Sequence, residues 1–547
     1  MNLLKTAATI SGLTLLSRIT GLARETLTAA YFGAGSQTDA FFVAFRLPNL
    51  LRRLFAEGAF SQAFVPVLGQ IKAQKGESAA LLLARHAALV LTAALALISV
   101  LAIVGAPILV WLMSGGFSGD TATFDLTVML TRWMFPYILM ISLVALASGV
   151  LNTWSEFKAP AFAPVLLNVS FIGCAILLSP YLSQPIWALA IAVILGGIAQ
   201  LVLMMVALKK TVSSSKSIDA SAALTRNNDP ISSDDTDIAS WRAQRSNPWS
   251  LRAAWNDEHV RRVLRLMVPA TLAVSVAQVS LIINTHIAAR LQSGSVSWLS
   301  YADRLMEFPT ALLGVALGTV LLPSLTKANS EQNMVRVNQL IDWGLRLVIL
   351  LAIPAAVGLA VLAIPLAAVL FHYGRFDHQD LLMTAQAMTG YSVGLVGLIA
   401  IKVLAPGFYA QQNIKTPVKI ALFTLVLTQL LNLALVPVFA HAGLALATSL
   451  AACANALLLY RGLRRRNVYT PTAGWGSFTL KIILSSLMMG LAIGVIALEL
   501  DWSGLRHAPV LRIVWLTALL LVAAVVYFAV LRALGVRWVA FLKKDVP

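Results

Sequence analysis

Long apolar runs, separated by short polar stretches, follow one another along almost the whole chain. A run of about 20 apolar residues is long enough to cross a hydrocarbon core of about 30 Å. We therefore expect an all-α polytopic membrane protein with about fourteen transmembrane helices. Their approximate extents are 7–32, 40–68, 80–113, 126–152, 159–179, 186–208, 262–290, 297–325, 343–371, 382–410, 416–438, 442–462, 476–499 and 509–533.

Two short motifs recur in the second half of the chain at one common spacing. The sequence FVPVL at 64–68 recurs as LLPSL at 321–325, and KAP at 158–160 recurs as KTP at 415–417. Both pairs are offset by 257 positions, which sets the first six predicted helices against the next six. Because six is even, the halves keep one orientation, as in transporters built from parallel repeats. The pattern predicts two six-helix lobes followed by two C-terminal helices.

One polar segment, 211–258, interrupts the apolar pattern between the two halves. It is rich in Ser, Asp and Asn, and its low hydrophobicity favours a flexible linker. Trp249, Leu251 and Trp255 leave open an interfacial amphipathic turn at its end. The expected regions are an N-terminal lobe at 1–210, a cytoplasmic linker at 211–258, a C-terminal lobe at 259–466, and the last two helices with a cytoplasmic tail at 467–547.

The charge of the chain fits a membrane protein better than a nucleic-acid-binding protein. Hydrophobic residues make up 59% of the sequence and charged residues only 12%, against roughly 25% charged in an average soluble domain. The net charge of +18 is explained by lysines and arginines in alternate short loops, which places both termini in the cytoplasm by the positive-inside rule. We expect no nucleic-acid partner.

No sequence feature points to catalysis, a cofactor or a metal. The two cysteines, Cys174 and Cys453, each lie inside an apolar run, which favours small buried side chains over a disulfide or metal site. Nucleotide-binding and nucleophile motifs are absent from the sequence. We expect a protein that is not an enzyme and has neither cofactor nor metal, with any energy coming from gradients.

Charged residues interrupt the first two predicted helices. A charge at the centre of a spanning helix costs at least ~2.5–3.5 kcal/mol, so it persists only against a polar cavity or a partner. Ser17, Arg18, Arg24 and Glu25 recur at helical spacing and share one face of the first helix. Further charges in the second helix are Asp39 at its outer mouth, Arg46, Arg52, Arg53 and Glu57, with Arg53 and Glu57 one turn apart.

The eighth predicted helix adds charge from the second half of the chain. Asp303, Arg304 and Glu307 lie close to the repeat equivalent of Arg46. We therefore expect both halves to contribute to one central cavity rich in arginine. Guanidinium groups present planar, paired donors that suit phosphate oxygens. The sequence thus predicts an anionic cargo, with a diphosphate or polyanion as the specific hypothesis.

The acidic neighbours of these arginines leave a second interpretation open. In that alternative, internal salt bridges fix helix packing and bind no cargo. Two further alternatives are a drug or cation exporter on the same scaffold and a non-transporting scaffold that docks partner proteins through 211–258. The numbers of arginines and carboxylates in the predicted cavity are nearly equal. The arginines are Arg18, Arg24, Arg46, Arg52, Arg53 and Arg304, and the carboxylates are Glu25, Asp39, Glu57, Asp303 and Glu307.

Several motifs resemble one known family closely. They are TDAFFVAF at 38–45, PNLLRR at 48–53, FAEGAFSQAFVP at 55–66, SVSW at 295–298, YADRLMEFP at 301–309, GVALGT at 314–319 and KVLAPGFY at 402–409. On these residues the chain is similar to the MurJ (MviN) family of proposed lipid II flippases of bacterial cell-wall synthesis. This family belongs to the multidrug/oligosaccharidyl-lipid/polysaccharide (MOP) exporter superfamily, and the resemblance covers nearly the whole chain.

The resemblance implies a cargo and a location. The cargo is lipid II, an undecaprenyl diphosphate carrying a disaccharide-pentapeptide, moved from the inner to the outer leaflet of the bacterial cytoplasmic membrane by alternating access. Expected partners are lipid II and membrane lipids, with other cell-wall synthesis proteins as a further option. Another lipid-linked oligosaccharide is the alternative cargo. The last two helices match a family pair that forms a groove for the lipid tail.

The resemblance also assigns site residues. Cavity arginines of the family match Arg18, Arg24, Arg52 and Arg304, and its acidic positions match Asp39 and Glu57. Sodium ligands of some members have no counterpart, because 262–290 and 416–438 contain no Asp or Glu. The complete prediction is substrate binding by Arg18, Arg24, Arg52, Arg53 and Arg304, with Ser17, Glu25, Asp39, Glu57, Asp303 and Glu307 supporting the cavity.

Overall fold

A computed structural model describes residues 3–52, 60–225 and 250–536, and these ranges are helical without any β-strand. The α-helices in chain order are α1 Leu3–Phe32, α2 Ser36–Arg52, α3 Phe60–Lys75, α4 Glu77–Val104, α5 Ala106–Ser114, α6 Thr121–Met134, α7 Tyr137–Thr153, α8 Lys158–Leu177, α9 Trp187–Thr225, α10 Leu251–Asn256, α11 Glu258–Ala288, α12 Ser295–Ser330, α13 Met334–Val361, α14 Ala363–Phe371, α15 His378–Ser392, α16 Leu395–Tyr409, α17 Lys415–Arg465, α18 Trp475–Glu499 and α19 Pro509–Ala533.

Nine helical stretches in the described ranges are long and apolar enough to cross a membrane. They coincide with ten of the predicted helices, because α17 contains two of them. The predicted helices outside these stretches are α1, α2 with α3, α11 and α12, and three of these four carry the charged cavity candidates. The polytopic helical class is confirmed, and the count of fourteen stays a prediction.

The internal repeat is visible in the helix boundaries. Helices α4 and α13 are both 28 residues long, and α5 and α14 are both 9 residues long. Each pair starts and ends at the predicted offset of 257 positions, as do the first residues of α8 and α17. The offset inferred from two short motifs therefore describes matching helices in the two halves.

The long helix α17 is broken at Ala440. Its φ of 48° and ψ of −128° lie outside the helical region, where a residue with a Cβ is strained. Three positions later, a Cβ on Gly443 would lie 2.5 Å from the carbonyl oxygen of Leu435, so glycine permits this close approach. The predicted gap between 416–438 and 442–462 coincides with this break.

The chain divides into two compact units. The first contains 1–28 and 40–278. One apolar cluster of this unit joins α3, α4, α7, α10 and α11, with Leu68, Leu83 and Val263 buried at 2% exposure or less. Helices α8 and α9 approach closely, because a Cβ on Gly196 would lie 2.6 Å from the Leu167 side chain. This unit positions the first group of candidate site residues.

The second unit contains 29–39 and 279–547. Within it α13 packs against α16 and α18, and α18 packs against α19. Gly490 of α18 faces Val357 of α13 at a distance that leaves no room for a Cβ. The units divide the chain at different positions from the four predicted regions, which stay a prediction.

The predicted linker 211–258 is helical where the structure describes it at its two ends. Helix α9 continues to Thr225, and no proline or glycine lies between 211 and 225 to end it. The short helix α10 begins after Ser250, whose hydroxyl accepts a hydrogen bond from the Ala253 amide at 3.3 Å. Residues 226–249 of the linker lie outside the described residues.

Candidate functional site

Arg24 is held on α1 by three side chains of the first unit. Its Nη1 donates to Oδ1 of Asn168 on α8 at 3.2 Å, and its Nη2 bonds to the neighbouring Glu25 carboxylate. The guanidinium carbon lies 5.1 Å from the centroid of the Phe171 ring, which is a cation–π distance. Because these three side chains already hold the guanidinium of Arg24, binding a ligand costs this side chain little further conformational entropy.

The guanidinium of Arg24 retains donors for a ligand. Arginine carries five N–H donors, and only the two bonds above engage Arg24 among the described residues. The Arg24 side chain is 15% exposed, whereas that of Glu25 is 8% exposed. Arg24 can therefore bind an anion while its bonds to Asn168 and Glu25 hold its orientation.

Asn168 is a site residue that the sequence reasoning missed. Its Nδ2 donates to the Ser17 carbonyl and to Thr20 Oγ1, both at 3.1 Å, and its oxygen accepts from Arg24. One buried amide thus fixes α1 to α8 at the level of the arginine. The available signal was a lone amide in the otherwise apolar run of α8, where an unpaired polar group is costly.

Two further predicted site residues, Ser17 and Arg18, also lie on α1. Ser17 is partly buried, and its carbonyl joins the Asn168 junction. Arg18 is exposed, and none of the described residues bonds to it. Arg18 and Arg24 therefore differ in preorganisation, because α8 contacts Arg24 but leaves Arg18 able to rotate.

Asp39 is buried in the second unit at 3% exposure. Its carboxylate accepts from the amides of Gly294 and Ser297 at 2.7 and 2.8 Å, and from the Ser297 hydroxyl at 2.5 Å. These groups lie at the N-terminus of α12, where a carboxylate satisfies free amides and complements the helix dipole. Gly294 has a φ of +98°, and its Cβ would clash with the Trp298 ring. Asp39 thus fixes the start of the helix that carries Arg304.

A second carboxylate joins the segment 29–39 to the rest of its unit. Asp380 accepts from the Trp298 indole at 2.8 Å and from the Ala34 amide at 3.1 Å. The Tyr301 hydroxyl donates to the Gly33 carbonyl at 3.2 Å. Residues of the SVSW and YADRLMEFP motifs therefore serve as anchors for this early segment of the chain.

Arg304 lies on an exposed face of α12. Its Nη1 bonds Oε2 of Glu307 at 3.0 Å, and the two side chains are 40% and 52% exposed. Asp303 is exposed on the same helix. An exposed ion pair contributes little to stability, so it can open to admit a ligand at small cost.

Three predicted residues have little or no described geometry. Arg52 ends α2, where only its backbone is described, and Arg53 and Glu57 lie outside the described residues. The structure thus brings Ser17, Arg24 and Glu25 together in one unit, and Asp303, Arg304 and Glu307 in the other. A single cavity shared by both groups stays a prediction.

A buried carboxylate on α13 is the common acceptor for four side chains of the second unit. Asp342 accepts from Arg346 Nε at 2.8 Å, the Tyr469 hydroxyl at 2.8 Å, the Thr472 hydroxyl at 2.8 Å and the Trp475 indole at 2.7 Å. Burial, followed by the bond to Asp342, raises the pKa of Tyr469 above its usual value. This cluster fixes the segment that leads into α18.

Metal ligation has no candidate in the described ranges. Groups of three or more His, Cys, Asp or Glu side chains that could hold an ion are missing from them. That the protein needs neither a metal nor a cofactor stays a prediction.

The sequence matches one family over most of its length. A family model described as "Lipid II flippase MurJ" matches residues 28–513. A Burkholderia cenocepacia protein named "Lipid II flippase MurJ" is 50% identical over 544 residues, which cover 100% of both chains. A Haemophilus influenzae protein named "Probable lipid II flippase MurJ" is 36% identical over 547 residues, which cover 97% of this chain and 100% of the relative.

Solved structures share the fold. One described as "Lipid II flippase MurJ, inward closed conformation" has a TM-score of 0.73 at 24% identity, covering 96% of this chain and 99% of its own. An inward-facing multidrug resistance MATE family transporter of the MOP superfamily has a TM-score of 0.65 at 12% identity, covering 84% and 98%. The chain is a multi-pass membrane protein that shares the helical fold of these two solved structures. The chain belongs to the MurJ family.

Proposed function

We propose that this chain is a flippase that moves lipid II across the bacterial cytoplasmic membrane without changing it chemically. The observation that carries this proposal is the 50% identity, over the full length of both chains, to a protein named lipid II flippase. We further infer that Arg18, Arg24, Arg52, Arg53 and Arg304 bind the diphosphate of the cargo. Ser17, Glu25, Asp39, Glu57, Asp303 and Glu307 would position them.

The geometry of Arg24 supports diphosphate binding. Asn168, Glu25 and the Phe171 ring hold the guanidinium. Its remaining N–H donors bond to no acceptor among the described residues. Paired N–H groups of arginine match two phosphate oxygens, which a lysine ammonium cannot do in the same plane. Arg304 can exchange Glu307 for a phosphate oxygen because both side chains are exposed.

The last two helices support a path for the polyprenyl tail. Many large apolar side chains of α18 and α19 are exposed, including Leu487 and Leu491 of α18 and Leu521 and Val525 of α19. We propose alternating access, in which the headgroup passes through the protein while the tail remains in lipid along these helices. Both termini would lie in the cytoplasm, as the positive-inside pattern predicts.

A reconstituted assay tests the proposal directly. Purified protein in liposomes should move a fluorescent lipid II from the inner to the outer leaflet, measured as loss of signal to a membrane-impermeant quencher. A charge crossing the field gains about 2.3 kcal/mol per 100 mV, so the assay should impose potentials of both signs, with and without sodium. Protein that moves no lipid II under any of these conditions would contradict the flippase assignment.

A matched lipid separates lipid II from a related cargo. An undecaprenyl diphosphate carrying a different sugar should move more slowly than lipid II in the same liposomes. Equal rates for both lipids would favour the alternative of a broader exporter of lipid-linked oligosaccharides.

Replacing 226–249 by a glycine–serine segment of equal length should leave flipping largely unchanged. Such a segment keeps the reach between α9 and α10 but removes every side chain that a partner could recognise. The measurement is the liposome rate together with complementation of cells depleted of their own flippase. Normal flipping with failed complementation would favour docking of cell-wall proteins on the linker.

A further inference from the structure

Arg512 is completely buried in the first turn of α19, on the face of this helix that packs against the second unit. Its exposure is 0%, and Leu516 and Leu519, which follow on the same face, are also buried. Two of its nitrogens, Nε and Nη1, have no hydrogen-bond partner among the described residues. A buried guanidinium with unused donors is costly, and a bound ion or water commonly accounts for such groups.

The third terminal nitrogen of Arg512 fixes the guanidinium beside His372. Nη2 donates to the His372 carbonyl at 3.1 Å, one residue after the end of α14, and α14 packs against α19. The centroid of the Tyr373 ring lies 4.8 Å from the guanidinium carbon, which is a cation–π distance. The charge of Arg512 therefore lies between the end of α14 and the start of α19.

His372 is a second buried group with unused nitrogens in the same place. Its exposure is 2%, and neither Nδ1 nor Nε2 has a hydrogen-bond partner among the described residues. Burial, followed by the charges of Arg506 and Arg512, lowers the pKa of His372 to about 4. The ring is therefore neutral at pH 7 and carries one N–H donor.

Arg506 adds a second guanidinium to the loop 372–376. Its Nη2 donates to the carbonyls of Gly374 and Phe376. These acceptors are uncharged, as is the carbonyl bound by Arg512. In the part of the chain that the structure describes, no carboxylate forms an ion pair with either arginine.

The acidic residues of the adjoining turns bind backbone amides instead. Asp377 Oδ1 accepts from the Asp380 amide at 2.8 Å, and Asp501 Oδ1 accepts from the Gly504 amide at 2.9 Å. The positive charge of the two arginines therefore lacks a counter-charge within the described ranges.

The N-terminus of α19 adds to the positive potential at this position. The helix begins at Pro509, and its N-cap residue, Ala508, has no side chain that could accept from the first amides. The positive end of the helix dipole favours an anion. A helical side chain leans toward the N-terminus of its helix, so Arg512 lies at this end.

We propose that Arg512 and His372 bind a small inorganic anion, of the class of chloride, at the N-terminus of α19. The anion accepts from the unused donors and neutralises the buried guanidinium, which a water molecule cannot do. Its size follows from the burial of both side chains, which excludes a phosphate that remains attached to a lipid. The donors lie on other elements than the arginines proposed to bind the cargo.

The anion would also stabilise the packing of the early segment 29–39. The amide of Arg375, in the loop that both arginines hold, donates to the Ala30 carbonyl at 2.8 Å. Neutralising the charge beneath this loop should therefore strengthen the second unit as a whole.

Bromide crystallography of the full-length protein locates the ion. Crystals grown with sodium bromide should show an anomalous peak within hydrogen-bond distance of both Arg512 and His372. A map with water or no density at these atoms would overturn the proposal. A bromide peak there without the stability effect described next would show an adventitious ion only, and it would overturn the proposal as well.

Thermal unfolding of the full-length protein in detergent measures the stability effect. Replacing gluconate by chloride at constant ionic strength should raise the thermal midpoint of the wild type by about 2–4 °C. Arg512→Met should lose most of this rise. In gluconate it should unfold no earlier than the wild type, because it removes a buried charge without a partner.

Two further variants complete the test. Arg532→Met, which removes an exposed arginine at the other end of α19, should keep the full chloride effect. His372→Phe keeps the guanidinium but removes the ring donor, so it should raise the half-maximal chloride concentration several-fold. A full chloride effect in both Arg512→Met and His372→Phe, or no chloride effect in the wild type, would overturn the proposal.

Discussion

Replacing Arg24 by alanine is expected to lower the flipping rate at limiting lipid II by about tenfold to a hundredfold. The substitution removes charge-assisted hydrogen bonds worth roughly 1.5–3 kcal/mol, and each 1.4 kcal/mol corresponds to a factor of ten. Arg24→Lys should recover only part of the rate, because a lysine keeps the charge but not the paired donors or the contact with Phe171. The measurements are the liposome rate and complementation in depleted cells.

A pair of variants separates cargo binding from internal pairing of Arg24. If the arginine serves mainly its bond to Glu25, then Glu25→Gln and Arg24→Ala should have similar effects, and the double variant should be little worse than either. If it binds cargo, Arg24→Ala should be far more damaging than Glu25→Gln. Normal growth of cells carrying Arg24→Ala would contradict the assignment of Arg24 to the substrate site.

The same comparison applies to the second unit. Arg304→Ala should impair flipping, whereas Glu307→Gln should be mild because the pair is exposed. Asn168→Ala should fall between Arg24→Ala and the wild type, since it releases the arginine without removing it. Equal flipping by all these variants would favour the alternative in which charged residues serve helix packing alone.

Replacing Asp342 by alanine is expected to lower the free energy of unfolding by about 3–5 kcal/mol. Removal of one partner from a buried ion pair costs this much, and here the indole, two hydroxyls and a guanidinium lose their common acceptor. Asp342→Asn should cost less, because the amide oxygen still accepts. Unfolding followed by intrinsic fluorescence in lipid nanodiscs measures both variants.

A surface acid provides the control for Asp342. Glu331 lies 4.0 Å from Lys327 and is 53% exposed, so Glu331→Ala should change the free energy of unfolding by less than about 0.5 kcal/mol. If Asp342→Ala unfolds as the wild type does, the contacts of Asp342 with 469–475 do not hold α18 in place. A variant that is destabilised but still flips at a normal rate would show that this cluster serves stability alone.

Sequence patterns predicted the fold where one physical rule dominates. Apolar length predicted the spanning helices, and the gap at 439–441 coincided with the strained Ala440. The repeat was visible in two motifs because each half uses the same turn and proline positions, as the common starts of α8 and α17 show. Helix termini beyond the apolar runs, such as the continuation of α9 to Thr225, could not be predicted from hydropathy.

Partners of charged residues were harder to predict than the residues themselves. Arg24 was found because charge in an apolar helix requires a reason, but Asn168 is 144 positions away and pairs with it only in the folded chain. Asp342 and Arg346 had a readable i, i+4 spacing, yet their contacts at 469–475 depend on how the chain returns. His86 and Asp257 likewise meet only through packing.

The bonds of Asp39 have a consequence for the order in which the protein is made. The carboxylate belongs to the start of the chain, but its donors at Gly294 and Ser297 lie 255 and 258 positions later. The segment 29–39 belongs to the second unit, whose remaining residues begin only at 279. During synthesis this segment must therefore stay unpaired with its final partners while the first unit is being made. Contacts of such long sequence separation form late and slowly. The second unit is therefore complete only when 29–39 packs against it, and misfolding during synthesis should be most frequent at that step.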